Sequence, residues 1–132
     1  MKWEPLSISV ARFAPASSEA IAELLSKYPA LPGDYIALMR QTNGLEGGIG
    51  VEPGWLVLWP VEEVLVASEE CGLSTDLPGY VAIGGNGGNE LFIISSSLGD
   101  SSPVYVVPMI GMSESAMLKI APNLVALLEN LA

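Results

Sequence analysis

The sequence predicts an α+β domain, with a central, mostly antiparallel sheet of about five strands and helices packed on it. Segments with helical apolar spacing dominate the first half, strand-like runs joined by tight turns follow one another in the second, and a last helical segment closes the chain. Consecutive strands with tight connections pair antiparallel. With 132 residues, half of them apolar and 15% charged, the chain is the size of one domain and can bury a core.

Residues 1–16 read as an N-terminal extended segment, in which the weak alternation of 6–13 suits an edge strand. The first helix spans 17–28, with Ser17 or Ser18 as N-cap, Ile21, Leu24, Leu25 and Tyr28 on one face, and Pro29 as its stop. Pro32 opens a second helix with Tyr35, Leu38, Met39 and Thr42 aligned, and Asn43-Gly44 suits a left-handed stop. Gly44 to Gly54, rich in glycine, reads as a flexible loop.

Trp55 to Trp59 is a continuously apolar run, as expected of a buried strand. Pro60 followed by Glu62 and Glu63 starts a third helix, with Val61, Val64 and Leu65 inward and an end near Gly72. Tyr80–Gly84 and Glu90–Ser95 form a hairpin across a Gly/Asn turn, and Pro103–Pro108 adds a further strand. Ala116–Ile120 is read as the fifth in preference to the rival, one helix from Ser113 onward broken at Pro122. Pro122 then falls in the first turn of a terminal helix bearing Leu124, Leu127, Leu128 and Leu131.

The net charge of -10 is segregated. Between Arg40 and Lys119 there is no basic residue, whereas Glu46, Glu52, Glu62, Glu63, Glu69, Glu70, Asp76, Glu90, Asp100 and Glu114 all fall there. Such a field repels nucleic acid and anionic membrane and steers cationic partners. It implies a basic protein partner, with neither nucleic acid nor membrane as ligand.

Several chemistries lose their residues. The chain has no histidine, so no Ser-His or Cys-His nucleophile pair exists. Cys71 is the sole cysteine, and its neighbours Glu69 and Glu70 disfavour a thiolate. No Cys/His cluster suits zinc or iron, and the acids lack the alternate spacing of a calcium loop. Gly84 to Asn89 precedes a strand rather than a helix, unlike a phosphate-binding loop. No enzyme, metal or cofactor is expected. The single cysteine, the acid and proline near the start and the lack of a long apolar segment suit a cytoplasmic protein.

The paired acids Glu62-Glu63 and Glu69-Glu70 recur after seven residues and place one helix face in solvent twice. With Glu46, Glu52 and Asp76 they form the candidate partner-binding set. Trp55, Trp59 and Tyr80 are possible anchors, although Trp59 suits the core better.

Three segments in order, Leu31-Pro32-Gly33-Asp34-Tyr35 leading to Thr42-Asn43-Gly44, then Leu56 to Val64, then Tyr80 to Gly84 with its glycine-rich turn, resemble the SUKH superfamily in its Smi/Knr-like branch. The resemblance covers about residues 20–131. It implies an α+β domain with no enzymatic activity. Bacterial members are largely immunity proteins that bind and neutralise polymorphic or contact-dependent toxins, often nucleases. Fungal relatives are regulatory hubs, which supplies the alternative of a protein-interaction scaffold with endogenous partners. Leu31-Pro32, Asn43-Gly44 and Ile83-Gly84 map to scaffold positions, and no shared catalytic set carries over. Ser95-Ser96-Ser97 lacks an expected acid, and Met109 to Met117 is unusually apolar, with Met109, Ile110 and Met112 open to a core or a dimer role. A monomer or weak homodimer is expected.

Overall fold

The structure, a computed structural model, describes residues 11–131. Seven strands among these residues form one antiparallel sheet whose spatial order follows the chain. They are β1 (Ala11–Arg12), β2 (Leu45–Gly48), β3 (Trp55–Leu58), β4 (Tyr80–Gly85), β5 (Glu90–Ser95), β6 (Val104–Pro108) and β7 (Leu118–Ala121). The helices are α1 (Ser18–Lys27), α2 (Gly33–Met39), α3 (Val61–Glu70), α4 (Leu73–Asp76) and α5 (Leu124–Leu128). The α+β class and the central antiparallel sheet agree with expectation, and the strand count exceeds it.

Beyond the five, β1 falls within the segment expected on an edge, and β2 was not expected. The glycine-rich stretch expected as a loop contains β2, whose Leu45 sits opposite Leu58 and whose Gly47 sits opposite Leu56. Two-residue β1 extends the edge by pairing Ala11 with Glu46 and Arg12 with Leu45. Part of the expected edge segment, residues 6–10, lies outside the described residues. Only the tip of the glycine-rich stretch, from Gly50 to Gly54, is a turn.

Most helix boundaries follow their caps. Ser17 Oγ accepts the Ala20 N–H at 3.1 Å and starts α1. Pro32 stands as N-cap of α2, and Pro60 as N-cap of α3. The terminal helix begins later than expected, because Asn123 Oδ1 accepts the Ala126 N–H at 2.8 Å and makes Asn123 the cap. Pro122 therefore precedes the helix, and Leu131 leaves it to bridge Ile49. The fifth expected strand is displaced to Leu118–Ala121, because a 3₁₀ turn occupies Glu114–Ala116. Single-turn α4 falls where a loop was expected.

The main core joins α1, α2, α3 and α5 to one sheet face, with Leu24, Tyr35, Leu38, Leu58, Val64, Ile83 and Phe92 buried. A second cluster fills the opposite face over β4 to β6, where Leu73 of α4 and its C-cap Leu77 meet Ala82, Leu91, Ile93, Val107 and Met112. Burial on both faces explains why β4 and β5 read as unbroken apolar runs. The covering stops short of β3, where Trp55 remains 42% exposed. Among the described residues no helix is long and apolar enough to cross a membrane.

Candidate partner-binding groove

Thr42, Asn43 and Gly44 tie three parts of the chain together. Thr42, buried, accepts the Phe13 N–H on its Oγ1 at 2.8 Å and donates to the Gly44 carbonyl at 2.6 Å. Asn43 Oδ1 accepts the Val61 N–H at 2.7 Å, while its Nδ2 donates to Glu62 Oε1 at 2.9 Å. Proline at the N-cap has no side-chain acceptor, so Asn43 caps α3 from 18 residues away. Gly44 is the left-handed residue, with φ +101°, and a Cβ there would lie 2.6 Å from the Leu58 carbonyl oxygen. α2 ends earlier than expected, at Met39 with Arg40 as its C-cap, so Asn43-Gly44 is not the helix stop but the joint that seats α3 and the Phe13 segment on β3.

Between these parts runs a groove of about 430 Å³, lined by Phe13, Ala14, Pro15, Asn43, Val57, Leu58, Trp59, Pro60 and Glu63. Its walls are mostly apolar. Phe13 is 51% exposed on one side, and half-buried Trp59 packs against both core clusters on the other. Glu63, in the first turn of α3, is the only charged residue of the lining among the described residues.

Two more carboxylates lie beside it. Strand register places Glu46 opposite Val57 of the lining, and Glu46 Oε2 accepts from Trp55 Nε1 at 3.3 Å. Glu62 is tied to Asn43, whose hydrogen bond, followed by one from the backbone, holds the Glu62 carboxyl below the usual range. Both acids of the first turn also face the positive end of the α3 dipole.

The scaffold that forms this groove coincides with a known one: the model of the SMI1/KNR4 family (SUKH-1) matches residues 15–130. The chain belongs to the SMI1/KNR4 family. No curated protein matches it. Within this SUKH-1 chain, Phe13 and Ala14 of the groove precede the matched region, so one wall lies outside the family's span.

Of the seven acids singled out from sequence, the structure brings Glu46, Glu62 and Glu63 together at the groove. Glu69 and Glu70 lie about 10 Å further along α3, given a rise of about 1.5 Å per residue. Glu69 forms an ion pair with Lys27 of α1, and that contact holds the Lys27 ammonium above its usual range. Lys27 also donates to the Leu65 carbonyl, so this end of the acidic face is partly neutralised by the fold. Glu70 and Asp76 are exposed at the α3–α4 corner, and Glu52 is exposed on the turn before β3. Tyr80 is no groove anchor: it packs edge-on against Tyr105, with ring centroids 6.0 Å apart.

Phe13 was missed as a site residue because an edge segment gives no sign of which residue it will fold against. Its exposure beside Pro15 is set by the Thr42 hydrogen bond, a contact between residues 29 apart. The glycine-rich turn closes on itself, with Asn86 Oδ1 accepting the Gly88 and Glu90 N–H groups. Met112 belongs to the second core cluster, whereas Met109 and Ile110 are exposed. Among the described residues no group of three or more His, Cys, Asp or Glu side chains could hold a metal ion.

Proposed function

We propose that this SUKH-1 protein works by stoichiometric binding rather than catalysis. It neutralises a cognate bacterial toxin of the polymorphic or contact-dependent kind, by covering the toxin's basic active-site surface. The observation that carries this reading is an apolar groove with aromatic walls, bordered by Glu46, Glu62 and Glu63, in a chain of net charge -10. Aromatic and apolar walls supply the area that anchors a partner, and the carboxylates select a cationic one. The more distant Glu52, Glu69, Glu70 and Asp76 contribute to the long-range field that accelerates encounter. A nuclease, whose active site must attract a polyanion, is the toxin class with the best complementarity.

The test uses a toxin domain, which this reading expects to be encoded beside the gene. Its association rate constant with this protein falls as salt rises, because the steering field is screened. Replacing Glu63 and Glu70 by Lys slows association about tenfold at low salt. These two positions are preferred because Glu62 and Glu69 also hold Asn43 and Lys27. An unchanged rate constant removes the acidic face from the account. A protein that binds only endogenous partners, with no toxin gene nearby, has the regulatory role instead.

A further inference from the structure

Glu63 differs from the other acids of the groove. Glu46 is engaged by Trp55 and Glu62 by Asn43, whereas the Glu63 carboxylate lines the cavity and makes no hydrogen bond or ion pair with any described residue. Its carboxylate is next to apolar surface formed by Phe13, Pro15, Val57, Trp59 and Pro60. Among the described residues the lining contains no basic residue to neutralise it.

We propose that the groove is a receptor for an arginine side chain of the partner, with the guanidinium paired to Glu63 and stacked between Phe13 and Trp59. This rests on the reading of the groove as the partner-binding site and names what enters it. A cavity of about 430 Å³ is within the range that admits a small ligand or a few side chains. The planar guanidinium matches both features of the site, because it stacks on aromatic faces and donates two parallel N–H groups to one carboxylate. A lysine ammonium would meet Glu63 as a point charge but has no flat face for Phe13 and Trp59. A purely apolar side chain would fill the walls and leave Glu63 without a partner.

The experiment is an amide and indole NMR titration of the ¹⁵N-labelled full chain with three blocked amino acids: N-acetyl-arginine amide, N-acetyl-lysine amide and N-acetyl-leucine amide. Expected is saturable movement of the Trp59 indole and of the Phe13 and Glu63 amides with the arginine probe. Lysine binds severalfold more weakly. Glu63→Gln lowers arginine affinity about three- to tenfold, the range of an exposed to partly desolvated charge-assisted pair. Phe13→Ala lowers it severalfold, and because Phe13 is half exposed the variant keeps the fold. Trp59 is left intact, since it packs against both cores. Equal affinity for arginine and lysine, preference for leucine, or movement confined to other surfaces overturns the inference. If the arginine probe fails but Phe13→Ala still weakens the toxin complex, the groove remains the docking site and only its occupant is wrong. If the probe binds but groove variants leave the toxin complex unchanged, the docking reading falls with it.

Discussion

Asn43→Ala tests how the groove is held together. The substitution deletes the acceptor for the Val61 N–H, a 2.7 Å hydrogen bond at a partly buried site, and the donor to Glu62 at 2.9 Å. Loss of an N-cap side chain costs about 1 kcal/mol, up to about 2 where the freed N–H is shielded from water. The contact with exposed Glu62 adds roughly 0.5 kcal/mol after solvent screening. A total near 2 kcal/mol lowers Tm by about 6–8 °C for a domain of this size. Asn43→Asp keeps the acceptor and adds favourable charge at the helix N-terminus, but it repels Glu62, so its cost stays below about 1 kcal/mol. Urea unfolding of both variants, alone and with Glu62→Gln, measures the terms separately. The pH dependence has a definite sign: Glu62's carboxyl is depressed on folding, so its contribution is present above the ordinary value of 4.5 and is lost as pH falls through the lower folded value. The wild type's advantage over Asn43→Ala therefore narrows in acid. A cost below about 0.5 kcal/mol at neutral pH, or equal costs for Ala and Asp, refutes the capping role.

Gly44→Ala forces a left-handed residue and a Cβ 2.6 Å from the Leu58 carbonyl oxygen, and should destabilise by about 3 kcal/mol or more, whereas Gly54→Ala, at φ +89° with open space around it, costs only about 1–2 kcal/mol by thermal melts. The Tyr35 hydroxyl is buried without a hydrogen-bond partner among the described residues, and burial pushes its pKa up. Tyr35→Phe is accordingly neutral or stabilising by about 1 kcal/mol in urea, and a loss of that size would mean the hydroxyl is bonded. Glu70 ends α3 with no basic residue in the last turn. Glu70→Gln should stabilise by about 0.3–1 kcal/mol at low salt, with the gain fading as salt is added.

Local signals in the sequence carried much of this fold. Ser17 marked α1, Pro32 and Pro60 marked the starts of α2 and α3, and the apolar runs of β3 to β6 marked the strands. What escaped was structure set by distant partners. Leu45-Glu46-Gly47-Gly48 has little intrinsic strand preference, and it becomes β2 because Leu45 is buried opposite Leu58 and glycine fits opposite Leu56. Asn43 gave a local turn signal, while its capping of α3 depends on a contact across the fold. The candidate site divided in the same way. Its acids were visible as a charge block, yet only Glu46, Glu62 and Glu63 gather at the groove, because helix length carries Glu69 and Glu70 away and Lys27 engages one of them. Strand alternation could have placed Glu46 with Trp55 had β2 been recognised.

The most direct test of the central claim, that the groove captures a toxin, is growth of a bacterial host expressing the toxin domain that the proposal expects beside the gene. The account predicts that the wild-type chain restores growth and that Phe13→Ala combined with Glu63→Lys does not, although the double variant melts within a few degrees of the wild type. Protection by the double variant equal to the wild type's contradicts it.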